Sequence, residues 1–308
     1  GCSTGGTGGG GTAGGGGIGM KRVDSPENLR KVVESTQTMA ARSFGDGTVF
    51  LERLIPKARH IEIQIFGLDD GHAVHLFERE CSIQRRYQKI IEETPAPGLS
   101  DATRQAMAEA AVALAAQERY RGAGTVEFVV DADTSEYFFL EMNTRIQVEH
   151  PVTEMTTGVD LVGLQLRLAS GEDLSSLTQD GVSRSGHAIE CRLYAENPDK
   201  NFLPSPGKLE CFALPEEEDD VRIDTGVREG DKITPYYDPM IAKVICRGED
   251  RATAIERSIR TLKSITLEGL VSNISFLIRT LEHTAFDAGD THTDFVDKHK
   301  DELIASQP

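Results

Sequence analysis

The stretch Glu141-Met142-Asn143-Thr144-Arg145-Ile146-Gln147-Val148-Glu149-His150 decides how this chain is read. With a period of two, Glu141, Asn143, Arg145, Gln147 and Glu149 fall on one side and Met142, Thr144, Ile146 and Val148 on the other. Successive side chains of an extended strand face opposite ways, so the pattern predicts one polar face. A merely solvated face usually mixes Lys, Ser and Thr. This one carries two carboxylates, two amides and a guanidinium in a row.

The residues just before it sharpen the reading. Gly124 to Val130 reads as a strand, Asp131 to Ser135 as a turn, and Tyr137 to Glu141 as the returning strand. A hairpin centred on Thr134 sets Glu127 opposite Glu141. Side chains opposite each other on antiparallel strands have Cβ atoms about 4.5–5.5 Å apart, and like charges there are destabilising. At an effective dielectric near 20 the repulsion is roughly 3 kcal/mol. A cation between them removes that cost, and all-oxygen ligation with Asn143 two residues on suits Mg²⁺ or Mn²⁺ holding a nucleotide's phosphates. The alternative is that one carboxyl is protonated or turned to solvent.

Composition narrows the field. The 308 residues carry a formal net charge of −17, which argues against a nucleic-acid surface. No apolar run approaches the length of a membrane span. Cys2, Cys81, Cys191, Cys211 and Cys246 are dispersed without CxxC pairing, which suits buried thiols in a reducing compartment. Residues 1–20 are mostly glycine, and Gly14 to Gly17 could let backbone N–H groups wrap phosphate oxygens or could equally be a linker. The run lacks the Lys-Ser/Thr of a Walker loop and the strand–helix context of a Rossmann fingerprint.

Along the chain, a helix is predicted from Ser25-Pro26 to about Arg42, with strands at Val49 to Leu54, His60 to Phe66 and His72 to Glu80. Arg85, Arg86 and Lys89 form a basic cluster, read as an anion site or as a solvated turn. Ser100 caps a helix to about Gln117. A further helix is predicted from about Thr153 to Ser170, then a strand at Ala188 to Tyr194 carrying Arg192. Short strands follow near 208–213, 220–224 and 240–247, with helices opening at Asp250 and Asn273.

Three motifs in order, ERECSIQRRYQKIIEETPAPG, EMNTRIQVEHPVTE and GHAIECRLYAENP, give the chain a strong resemblance to the biotin carboxylase component of biotin-dependent carboxylases. The likeness runs from about Thr12 to near His299, and the Arg-x-Gln-x-Glu-His continuation separates it from other ATP-grasp ligases. It implies an α+β ATP-grasp fold, an antiparallel sheet flanked by helices. It further implies a partial lid with a Gly-rich phosphate loop at 1–54, and at 55–308 the C-terminal part of the ATP-grasp together with a biotin-carboxylase-type C-terminal domain. On matching positions it implies Glu127, Glu141 and Asn143 as metal ligands. Lys89 and Arg145 would bind bicarbonate and phosphate, Gln147 would position bicarbonate, Glu149 would be the base, and Arg192 would stabilise the biotin enolate. His60 and Gln84 fall at the nucleotide's ribose and phosphates, Glu52 and Arg53 at the adenine edge, and Gly14, Gly15, Gly16 and Gly17 at the phosphate loop. From the residues alone, Arg192 could instead form a core salt bridge with Glu190 or Glu196.

The resemblance also implies ATP, Mg²⁺ or Mn²⁺ and bicarbonate, with biotin on a separate carrier protein or domain. It implies a carboxyltransferase partner, a homodimer, and a cytoplasmic or mitochondrial-matrix location, with no nucleic-acid or membrane partner. Two positions depart from the family: Gly10 stands where it has a phosphate-contacting Lys, and Tyr87 where it has a His. The family's N-terminal domain is also not in this sequence. A charge-assisted contact is worth roughly 1.5–3 kcal/mol, so the chain alone is expected to be weak or inactive. The other readings are a non-catalytic dimerising scaffold or a different ATP-grasp ligase.

Overall fold

The computed structural model describes residues 2–3, 20–68, 70–216 and 218–304. The Gly14 to Gly17 loop and Gly10 lie outside the described residues. The chain divides into two compact units, Gly1–Pro56 with Arg85–Gln88, and Lys57–Gln84 with Lys89–Pro308. The first holds the helix Pro26–Phe44, entered through Ser25-Pro26 and closed by Gly45 at φ 79°, a left-handed position that favours glycine. Its strand is shorter than the pattern suggests, only Phe50–Leu51.

The second unit is built on an eight-stranded sheet. In chain order its strands are β1 (Ala58–Leu68), β2 (Ala73–Arg85), β3 (Gln88–Thr94), β4 (Arg121–Asp131), β5 (Tyr137–Asn143), β6 (His187–Tyr194), β7 (Val221–Thr225) and β8 (Met240–Gly248). Their order across the sheet is β7-β8-β6-β3-β2-β1-β4-β5, and every described pairing is antiparallel. The α+β, antiparallel expectation is met.

Alternation sorts each strand between two faces. On β1, Ile61, Ile63 and Ile65 pack with Val126, Phe128 and Val130 of β4 beneath Met107, Ala108, Ala111 and Ala115 of the helix Asp101–Gln117. The small alanines let that helix lie close to the sheet, and Ser100 caps it by accepting from the Thr103 N–H. Farther along, Ile189, Cys191 and Leu193 of β6 join Val244 and Cys246 of β8. These pack with Ile255 and Leu262 of the helix Arg251–Ser264 and Phe276, Leu277 and Leu281 of Ile274–Glu282. Cys81, Cys191 and Cys246 are free and buried, and Cys211 is free and half-buried, as their dispersed spacing implied. The intervening polar positions, among them His60, Glu62, Glu127, Glu190 and Arg192, are left on the opposite face.

Three segments differ from expectation. The strand through Glu141 stops at Asn143, and Thr144 to Glu149 form a turn leading into the helix His150–Thr157. The single helix predicted from Thr153 to Ser170 is two, because Gly158 takes φ 73° and Asp160 caps a second helix, Leu161–Ala169. The strand Gln88–Thr94 was not foreseen. Its acidic residues Glu92 and Glu93 are buried.

Candidate active site

The sheet register places acids side by side. Glu141 of β5 faces Glu127 of β4, and Glu127 faces Glu62 of β1. The row is then closed by Arg79 of β2, opposite Glu62. The predicted Glu127–Glu141 opposition is present, but it depends on a β-bulge. Between Phe128↔Phe139 and Glu127↔Glu141 the register shifts by one residue at Leu140.

Three like charges in a row need cations, and two arrive from neighbouring strands. Arg79, fully buried, donates to Glu62 Oε1 at 2.6 Å, Gln64 Oε1 at 2.6 Å, Thr153 Oγ1 at 3.0 Å and Thr125 Oγ1 at 3.2 Å. Lys89 of β3 is the hub. Its Nζ lies 2.6 Å from Glu62 Oε2, 2.8 Å from Glu127 Oε1 and 2.7 Å from Glu149 Oε1. Burial opposes the ammonium charge, but Glu149 and Glu62 outweigh it and hold Lys89 well above the ordinary lysine range. Burial likewise pushes the Glu62 carboxyl up, and Lys89 with Arg79 more than reverse it. For Glu127 burial is overcome by the hydrogen bond from His60 and the charge of Lys89, so its carboxyl sits well below the usual range.

The remaining residues gather around this row. His60 Nε2 lies 2.9 Å from Glu127 Oε2, while its Nδ1 faces Gln84 Nε2 at 2.8 Å. Asn143 Nδ2 donates to Glu127 Oε1 at 3.0 Å and to Glu141 Oε1 at 3.3 Å, and Gln147 Nε2 donates to Glu127 Oε1 at 3.1 Å. Arg145 Nη1 donates to Gln147 Oε1 at 2.7 Å; it is exposed and makes no ion pair among the described residues. Glu149, 1% exposed, is clamped between Lys89 and Arg192, whose Nη2 lies 2.9 Å from Glu149 Oε2. Burial raises the Glu149 carboxyl, and Lys89 with Arg192 bring it below its ordinary value against the opposing charge of Glu62.

The five alternating residues therefore converge, though by a strand end followed by a turn. Among the described residues the ion pairs of Arg192 are with Glu92 at 2.6 Å and with Glu149, not with Glu190 or Glu196. The basic cluster is divided. Lys89 is spent on three carboxylates, whereas Arg85 and Arg86 belong to the Arg85–Gln88 turn, where Arg85 Nη2 donates to Gln88 Oε1 at 2.9 Å. Glu52 and Arg53 lie exposed in the first unit. Sequence reasoning missed Glu62, Arg79 and Glu92. The alternation His60-Ile61-Glu62-Ile63-Gln64 carried the signal for Glu62.

A divalent cation fits Glu127, Glu141 and Asn143 on their own chemistry. Two opposed carboxylates are bridged only by a neutral amide, and among the described residues Glu141 meets no positive charge. Hard oxygen donors of this kind take Mg²⁺ or Mn²⁺.

Such a row of carboxylates on an antiparallel sheet, beside a lysine and an exposed arginine, is a candidate nucleotide-phosphate site. Residues 11–177 match the family described as Carbamoyl-phosphate synthase L chain, ATP binding domain, and residues 190–298 match Biotin carboxylase C-terminal domain. The chain belongs to the biotin carboxylase family and has its ATP-grasp fold. It is 47% identical over 290 residues to the mitochondrial methylcrotonoyl-CoA carboxylase subunit alpha of Mus musculus, covering 94% of this chain and 40% of that protein. With biotin carboxylase 2 of Bacillus subtilis it shares 49% identity over 283 residues, 92% of this chain and 63% of that one. A crystal structure of the biotin carboxylase domain dimer of Hydrogenobacter thermophilus 2-oxoglutarate carboxylase, in complex with MgADP, ADP and bicarbonate, superposes with a TM-score of 0.90. It is 38% identical and covers 96% of this chain and 65% of that one. The chain thus spans about two fifths to two thirds of the length of these relatives.

Proposed function

We propose that this chain carries out ATP- and bicarbonate-dependent carboxylation of biotin through carboxyphosphate. The observation that carries the reading is Glu149, a buried carboxylate held between Lys89 and Arg192 at one end of the Glu62–Glu127–Glu141 row. Glu127, Glu141 and Asn143 would hold the divalent cation, which when bound offsets charge on the nucleotide's phosphates. His60 and Gln84 line the nucleotide side. Arg145, unpaired and oriented by Gln147, takes the bicarbonate anion.

Bicarbonate is a weak nucleophile, and Glu149 accepts its proton as its oxygen attacks the γ-phosphorus and ADP leaves. The two cations now on Glu149 make it a poor base. An arriving anion that draws on Lys89 and Arg192 raises its proton affinity at the moment it is needed. Carboxyphosphate then breaks to CO₂ and phosphate, the phosphate takes the ureido N–H proton of biotin, and the N–C bond forms to CO₂. Arg192 stabilises the enolate oxygen through that step. The carrier protein or domain bearing biotin, a carboxyltransferase partner and a second copy of the chain belong to the same reading, supported by the relatives' names and by the dimer in the bicarbonate-bound relative. Among the described residues no helix is long and apolar enough to cross a membrane. The test is ATP hydrolysis measured with and without bicarbonate and biotin. Dependence on both, lost in Glu149→Gln, supports the proposal; hydrolysis indifferent to bicarbonate overturns it.

A further inference from the structure

Two buried glutamates have no place in this chemistry. Glu92 of β3 and Glu190 of β6 are both 0% exposed and stand directly opposite one another. They share a face of the sheet with Arg192, two residues beyond Glu190. Among the described residues no donor makes a well-directed hydrogen bond to either oxygen of Glu190 or of Glu92; Glu92 Oε1 alone has a cation against it, Arg192 Nη2 at 2.6 Å.

The charged groups around the pair come from every packed element: Lys89 on β3, Arg192 on β6, Lys243 on β8, and Glu149 from the turn before the helix His150–Thr157. Lys89 is taken up by Glu62, Glu127 and Glu149, and Lys243 by the Val148 carbonyl at 2.9 Å and Asp224 at 3.1 Å. Arg192 is therefore the cation at hand, and Glu149 already shares it. Two carboxylates this buried and this close do not both ionise. Of the two, Glu92 has the guanidinium beside it and gives up its proton first; Glu190, with none, keeps its proton to higher pH and can offer an O–H to its neighbour. Burial pushes both carboxyls upward, Glu190 well above the ordinary range and Glu92 to about 7.

We propose that Glu92 and Glu190 hold one proton between them and act as a positioning pair for Arg192, fixing the guanidinium beside Glu149. Its catalytic consequence rests on the reading of Arg192 and Glu149 above; the proton-sharing itself does not. Loss of the Glu190 proton at alkaline pH puts a second negative charge beside Arg192 and draws it from Glu149.

The test compares the full chain with Glu190→Gln and Glu92→Gln. A carboxyl whose folded pKa is raised contributes stability below its unfolded value, about 4.3, and loses it as pH rises through the folded value. The wild-type urea midpoint should therefore fall from pH 6 to 9. Glu190→Gln, which mimics the neutral acid, should match wild type at pH 6 and fall less steeply, keeping only the slope that Glu92 contributes. The side-chain ¹⁵N–H NMR signal of Arg192 should move with pH in the wild type and move less in Glu190→Gln, where only Glu92 still titrates beside it. Wild-type pH slopes in Glu190→Gln, by either readout, would overturn the proposal. In the activity arm, Glu92→Gln should lose about tenfold in biotin-dependent turnover, the equivalent of one charge-assisted hydrogen bond. Its bicarbonate-dependent ATP hydrolysis should stay within about twofold. Equal loss in both would rule out positioning of Arg192. A chain without carboxylase activity would count against the proposed function alone, since unfolding and NMR still decide the pair.

Discussion

Replacing Lys89 by methionine removes the one ammonium that three carboxylates share. Its Nζ sits 2.6–2.8 Å from Glu62, Glu127 and Glu149, the lysine side chain is 13% exposed, and none of the three acids exceeds 4%. Stripping one partner from a buried ion pair costs about 3–5 kcal/mol. The same range applies here, because the abandoned acids can take protons instead of remaining charged. With roughly 2–4 °C lost per kcal/mol in a chain of this order of size, the melting temperature at pH 8 should drop by about 6–20 °C. In the wild type the three carboxyls are held below their ordinary values, so their stabilisation is present above pH ~4.3 and fades as pH falls through the folded values. In Lys89→Met the same carboxyls are raised, so stability grows on acidification. The difference between the two proteins should be largest near pH 8 and shrink toward pH 4, as read by urea unfolding across that range. Mg²⁺ should also raise the melting temperature of the variant more than that of the wild type, since it supplies charge to Glu127. A deficit below about 1 kcal/mol, or one that is constant with pH, would refute the hub.

Glu141→Gln should leave stability unchanged or improve it by up to ~3 kcal/mol in metal-free buffer, because it relieves the repulsion from Glu127. It should also abolish stabilisation by Mg²⁺ with ATP in a thermal-shift assay. Gln147→Leu should raise the bicarbonate KM about tenfold with little change in the ATP KM, since Arg145 loses its orienting acceptor, one charge-assisted hydrogen bond; steady-state kinetics decide. Gly67→Ala should cost ~3 kcal/mol or more by urea unfolding, because a Cβ there would lie 2.1 Å from the Tyr120 carbonyl oxygen, a backbone atom unable to yield cheaply.

How much of this was written in the sequence depended on range. The Glu127–Glu141 opposition could be counted from one turn, and alternation marked both as facing one way. That count was off by one at the turn itself: Phe128, Val129 and Val130 pair one step short of a hairpin centred on Thr134, and the bulge at Leu140 makes up the difference. Lys89 was recognisable as a cation, but its partners lie 27, 38 and 60 residues away. Only the pairing of distant strands makes it a hub. Arg79 and Glu92 were missed for the same reason, whereas Glu62 stood in a local alternation that marked its face. The Gly158–Asp160 break was a local signal, a left-handed glycine followed by a capping aspartate, and was legible in principle.

The spare residue at Leu140 also separates two jobs within the hairpin. If the register of the turn ran on unbroken, Glu127 would meet a leucine, and the acidic row would end one strand early. With the slip lodged between turn and site, the loop from Asp131 to Glu136 can drift in length and composition while the ligands keep station. Drawing Leu140 into a regular ladder, rather than removing it, would set a leucine against Glu127 and disarm the centre without touching a single polar group.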